Sequence, residues 1–186
     1  LKPHKGIRIG WEGAYGHRAD LELVYPAIRQ LIKDYNITFV VFGVSPQQGL
    51  KAPDFAVEWH TWVGLQQYPK ALADLRLDIS VAPLIDSSYN RCKSNLRILE
   101  NSSLRIPVVA SPTENQKNLP CLYANSNWDW YNQLERLITD KYLRLKTGNN
   151  QYDFVKKNFN MDNLVNPLYE WMDKLKRRKD LEPDNK

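Results

Sequence analysis

The residues with the clearest chemical potential lie in the stretch Asn90-Arg91-Cys92-Lys93-Ser94-Asn95-Leu96-Arg97-Ile98-Leu99-Glu100, just after an apolar run Ile79-Ser80-Val81-Ala82. A helix beginning near Lys93 or Ser94 would turn unpaired backbone N–H groups and the positive end of its dipole toward the preceding loop, where a phosphate is stabilised. Lys93, Arg97 and Glu100 recur at helical spacing and share one face. That face suits a diphosphate at its mouth and a pair of sugar hydroxyls one or two turns further in. The competing reading is a solvated amphipathic helix carrying an Arg97–Glu100 ion pair.

A second candidate is the loop Gly10-Trp11-Glu12-Gly13-Ala14-Tyr15-Gly16-His17-Arg18-Ala19-Asp20. Its glycines run G-x-x-G-x-x-G, and the next strand ends in Gly43-Val44 without an acidic residue, which argues against a nicotinamide or flavin cofactor. What remains is backbone able to approach a ligand closely, with His17 and Arg18 at the mouth of a helix. His17 reads equally as a structural loop residue, and Arg18 as a solvated one. Trp59 and Trp62 flank His60 and either border a base-binding pocket or pack as ordinary aromatics. Cys92 beside Lys93 lacks any histidine partner in a second catalytic signature, so it reads as a structural thiol. Neither a G-x-S-x-G elbow nor a G-x-x-x-x-G-K-[ST] loop occurs, which disfavours serine hydrolases and P-loop enzymes.

These residues need elements to hold them, and the chain supplies short β-branched runs alternating with longer amphipathic segments. Strands are predicted at 7–11, 37–42, 56–59, 78–82, 106–110 and 119–123. Asp20 is a plausible N-cap for a helix carrying Val24, Ala27, Ile28 and Leu31 on one face, with Pro26 early in it. A short helix follows at 68–75. The tail reads as three helices, 128–139, 141–159 and 163–178, interrupted by Gly148 and Pro167. The expected fold is α/β, a Rossmann-like doubly wound parallel sheet of about six strands with C-terminal helices, its ligand crevice beyond the strand carboxyl ends.

At 186 residues and 42% hydrophobic content, the chain suits one domain over 1–186. Charged residues at 25% and aromatics at 11% exclude disorder. The net charge of +5 permits anionic ligands without requiring nucleic acid. Much of it sits in Lys174-Leu175-Lys176-Arg177-Arg178-Lys179, which reads as a solvated helix end, a nucleic-acid tail or a contact with an anionic membrane surface. Two cysteines without metal spacing fit a reducing, cytoplasmic setting. Apolar runs fall short of the ~20 residues that span a bilayer. The opening Leu1-Lys2-Pro3-His4-Lys5-Gly6 lacks methionine, so the chain reads as a fragment with a partner domain elsewhere.

Taken in order, Ile9-Gly10-Trp11-Glu12-Gly13 with His17 and Asp20, then Asp78 through Leu84, then Asn90 through Glu100, then Ile106-Pro107-Val108-Val109-Ala110-Ser111, resemble the C-terminal half of GT-B glycosyltransferases, family-four (group 1) type. The resemblance implies a domain binding a nucleotide-diphosphate sugar, facing an N-terminal acceptor domain absent from this chain. It implies Glu100 on the ribose, and Lys93, Ser94, Asn95, His17 and Arg18 on the diphosphate. Cys92 stands where the family commonly has a glutamate that contacts the sugar, leaving Asp86, Asn90 or Asn95 as stand-ins. The first loop does not cleanly match the family's arginine and lysine pair. The implied activity is hexose transfer with retention in polysaccharide biosynthesis, cytoplasmic and with peripheral membrane contact. No cofactor beyond the donor substrate, no metal and no nucleic acid is expected, and the fragment alone should be inactive. The alternative is a non-catalytic nucleotide-binding or interaction module with a degenerate site.

Overall fold

The computed structural model describes residues 6–48 and 51–179, with the side chains at 162–164 and 176–179 outside the description. His4, the chain start and most side chains of the basic run therefore lie outside the described residues. Six strands form one sheet: β1 (Ile7–Glu12), β2 (Ile37–Phe42), β3 (Glu58–His60), β4 (Ile79–Ala82), β5 (Val108–Ala110) and β6 (Leu122–Tyr123). Their order is β3-β2-β1-β4-β5-β6, and every pairing is parallel. Winding runs outward from β1 through β2 to β3, then returns to β4 beside β1. The switch point lies between β1 and β4, and the crevice opens at their carboxyl ends. This is the predicted α/β architecture.

Alternation along the strands divides the core between the two faces. Phe39 and Val41 of β2 join Ile9, Trp11, Ile79 and Val81 in a cluster on one face. Two helices close that face: α2 (Tyr25–Asp34), through Ile28 and Leu31, and α6 (Asn127–Thr139), through Trp130, Leu134 and Leu137. On the other face, Val40 and Phe42 pack with Leu72 of α3 (Tyr68–Asp74). There too, Val108 and Ala110 pack with Ile98 of α5 (Leu96–Ser103), joined by Phe154 of α7 (Lys141–Asn158). The fully buried Gln151 of α7 both accepts from Val108 N–H and donates to Val108 and Pro120 carbonyls, so α7 is stitched to β5 by polar contacts as well.

Three local expectations are corrected. The single helix after the first loop is two, α1 (Arg18–Glu22) and α2, and Asp20 is buried inside α1 rather than capping it. Pro26 falls in the opening turn of α2, where its missing N–H has no intrahelical acceptor to lose. The helix expected to begin near Lys93 or Ser94 begins at Leu96, so both residues precede it, and a four-residue helix α4 (Ser88–Arg91), whose N-cap Ser87 accepts from Asn90 N–H, comes before them. Finally, Gly148 does not interrupt α7, and Pro167 lies inside α8 (Met161–Lys179). Among the described residues no helix is long and apolar enough to cross a membrane.

Candidate functional site

A cavity of about 370 Å³ opens at the switch point. Its floor is Glu12 at the end of β1 with Gly13 and Ala14 beyond it, and one wall is Trp62 and Leu65, between β3 and α3, with Tyr68 at the start of α3. The other wall is Lys93, Ser94, Leu96, Arg97 and Glu100, with Leu84, Gln116 and His17 at the margins.

Glu12 ends β1 in an almost water-free position. Its Oε1 accepts from Asn101 Nδ2 and stands 3.7 Å from Arg97 Nε, while Oε2 is buried with no hydrogen-bond partner among the described residues. Burial pushes the Glu12 carboxyl up to about 8; Arg97 and Asn101 oppose that rise without cancelling it. Arg97 thus pairs with Glu12, in place of the Arg97–Glu100 pair of the competing sequence reading. Its guanidinium lies 5.1 Å from the Trp11 ring centroid. Gly13 makes that approach possible, since a Cβ there would come within 2.6 Å of the Trp11 ring and 2.8 Å of Arg97 Nη2.

Glu100 is half-buried and accepts from Tyr68 Oη at 3.0 Å. Burial raises its carboxyl above the usual range, against the opposing pull of Tyr68 and Arg97. Tyr68 is stacked between Phe42, at 5.6 Å, and the half-exposed Trp62, at 5.9 Å. Burial, with the nearby Glu12 and Glu100, drives the Tyr68 hydroxyl far above its ordinary value, so it remains a donor. Trp62 therefore lines the cavity, while Trp59 packs against the core and His60 pairs with Glu58 at 2.6 Å.

At the other end, His17 Nδ1 lies 2.8 Å from Asp20 Oδ2. Asp20 also accepts from Ile85 N–H at 2.9 Å and Asn90 Nδ2 at 2.8 Å, which ties the first loop to the segment after β4. Burial opposes the charge on Asp20, but these three hydrogen bonds outweigh it and hold the carboxyl below the usual range. Lys93 Nζ donates to Tyr89 Oη at 2.8 Å and lies 4.2 Å from that ring centroid. Asn115 Nδ2 donates to Lys93 O and anchors the segment.

Of the residues singled out in sequence, Lys93, Ser94, Arg97, His17, Glu100 and Trp62 come together around this cavity, whereas Asn95, Arg18, Asp86 and Asn90 do not line it. Asn95 is the N-cap of α5 without a side-chain capping bond. Arg18 lies over the Tyr15 ring at 4.7 Å. Asp86 is exposed and pairs with Arg91 at 3.0 Å, beside a separate cleft. Asn90 is buried, its amide N–H donating to Asp20 and to Ile85 O, so it braces the loops. Sequence reading missed Glu12, Tyr68 and Gln116. A carboxylate at the buried carboxyl end of β1 was the one available signal for Glu12; the other two carried none.

The parallel six-stranded sheet with its switch-point crevice is the fold of GT-B glycosyltransferases, in agreement with the motif resemblance. Solved structures that share it include the C-terminal domain of a group 1 family glycosyl transferase, LpcC, from Francisella tularensis. That domain matches at 22% identity over 83% of this chain and 87% of its own, with a TM-score of 0.61. HepE from Anabaena, solved in complex with UDP, matches at 12% identity and a TM-score of 0.69 over 91% of this chain and 49% of its own, so the present chain spans about half its length. The catalytic domain of cholesterol-α-glucosyltransferase from Helicobacter pylori matches at 16% identity and a TM-score of 0.53, over 81% and 99% of the two chains. No protein-family model matches the sequence, and no curated protein matches it.

Proposed function

We propose that this chain is the donor-binding domain of a glycosyltransferase that moves a hexose from a nucleotide-diphosphate sugar to an acceptor held by an N-terminal domain, with retention. The observation that carries this reading is the convergence of Lys93, Ser94 and Arg97 with the Gly13-Ala14 backbone and Glu100 in one cavity at the switch point. In this reading Trp62 and Tyr68 flank the base and Glu100 takes the ribose hydroxyls. Lys93 and Arg97, with His17 nearby, face the diphosphate. Charge grows on that diphosphate as the sugar–phosphate bond breaks, and fixed cations stabilise it more in the transition state than in the ground state. Arg97 would provide, from α5, a cation to this cavity, which Arg18 of the first loop does not line. A cytoplasmic protein with peripheral membrane contact through the basic run, serving polysaccharide biosynthesis, is the setting that accompanies this reading, with no metal or further cofactor called on.

Lys93→Ala should lower nucleoside-diphosphate affinity by about 10- to 100-fold by calorimetry, as loss of a charge-assisted contact does. The thermal melt should stay in place, because the Lys93 side chain contacts only Tyr89 among the described hydrogen bonds and ring contacts. Unchanged affinity would refute the assignment. Uridine, guanosine and adenosine diphosphates, compared by thermal shift, would identify the base. The second reading, a non-catalytic module, is favoured by one observation: the exposed Cys92 in place of a sugar-contacting glutamate. Donor hydrolysis or transfer by the full-length protein separates the two.

A further inference from the structure

Gln116 lies in the turn after β5 and is almost wholly buried. Its backbone is fixed on both sides: its N–H donates to Thr113 O at 2.9 Å, and its carbonyl accepts from Tyr123 Oη at 2.6 Å and Leu119 N–H at 3.1 Å. Its side chain lines the cavity, yet Oε1 is shielded from solvent and finds no hydrogen-bond partner among the described residues. Buried acceptors are rarely left unmatched, and one held on a cavity wall is a recognition element for a donor that enters the cavity.

Its neighbour Asn115 fixes where along the cavity that element lies. Asn115 Nδ2 donates to Lys93 O, so the turn is moored to the Lys93–Ser94 wall, where the diphosphate is proposed to sit, and away from the Trp62–Tyr68 wall assigned to the base. The group attached beyond the diphosphate is the transferred sugar. Cys92, the position at which a sugar-contacting glutamate would be expected from the resemblance, is exposed and is not among the residues lining the cavity. Asp86 and Asn90 are engaged with Arg91 and Asp20.

Resting on the donor-binding reading, we propose that Gln116 is the specificity-determining contact for the transferred sugar, its Oε1 accepting a hydrogen bond from a sugar hydroxyl. The partner this acceptor calls for is an O–H donor, as each hydroxyl of a hexose is.

The test compares two affinities on the chain, for the preferred nucleoside diphosphate alone and for its neutral-hexose conjugate, in wild type, Gln116→Met and Gln116→Ala. Methionine keeps the length of the side chain and removes the acceptor. The expected result is a loss of about tenfold or more for the conjugate in both variants, with diphosphate affinity held within about twofold. An unchanged ratio of the two affinities overturns the proposal. So does an equal loss for both ligands, or a lowered melting point in both variants, since either would make Gln116 a structural residue of its turn. If wild type binds neither ligand, the donor-binding reading fails and takes this inference with it; if wild type binds both and only the ratio is unmoved, the donor-binding reading survives alone.

Discussion

Glu12→Gln is expected to flatten the pH dependence of folding stability between about pH 5 and pH 8. The folded-state value of about 8 exceeds the ordinary 4.5, so the native chain keeps a proton that the unfolded chain has already released. The stability carried by that proton is fully present below the unfolded value and is lost as pH rises toward 8, at up to about 1.4 kcal/mol per pH unit. Above that range both states are ionised and the slope vanishes. The total loss attributable to Glu12 is roughly 3–5 kcal/mol. Glutamine removes the titration while its amide oxygen can still accept from Asn101 Nδ2. Urea unfolding at pH 5, 6.5, 8 and 9 should give diverging curves for the two proteins, with a shallower slope in the variant that reflects Glu100, also raised by burial. Parallel curves would remove Glu12 as the titrating group. The same ionisation bears on binding. A charged Glu12 competes with a diphosphate for Arg97, so wild-type nucleotide affinity should fall above pH 8 while that of the variant holds.

Gly148→Ala should destabilise the domain by about 2–3 kcal/mol, opposite in sign to what helix propensity alone gives. Alanine in a helix interior is favoured over glycine by about 1 kcal/mol. Here, however, a Cβ would stand 2.1 Å from Arg105 O and 3.3 Å from Pro107 Cδ. The obstacle is backbone at a constrained place: Arg105 has φ 60°, and Pro107 leads directly into β5. Relief would require α7 to move off α5 and loosen the Gln151 bonds to Val108. Chemical denaturation measures the difference, and a gain in stability would mean that this packing yields far more easily than the geometry indicates.

Gly148 also illustrates what the sequence could and could not convey. As a letter within a helical pattern it suggested an interruption; its purpose is close approach between α7 and the chain before β5, a relation invisible along one dimension. β2, β4 and β5 were legible because each is a short apolar run, and the tail helices because their patterns are long; β3, Glu58-Trp59-His60, is mostly polar and extends past the 56–59 expected for it. The first-loop helix was misjudged because Asp20, besides its local pairing with His17, accepts from Ile85 and Asn90, some 65 to 70 positions away, and is buried by those contacts rather than left to cap the helix. Lys93 and Glu100 do line one cavity, but not through the helical spacing expected of them, because Lys93 precedes α5; nor could Arg97 be matched to Glu12, or Gln116 to the cavity, because those relations arise only when the sheet brings the ends of β1, β4 and β5 together.

The two cysteines differ in one practical respect. Cys92 is exposed, whereas Cys121 is largely buried, with its thiol pushed up to about 12 by that burial. A maleimide fluorophore at neutral pH would thus label the chain at a single address, one residue before Lys93. Native protein would then carry its own optical reporter beside the crevice, a direct readout of the proposed nucleotide binding without any engineered attachment point.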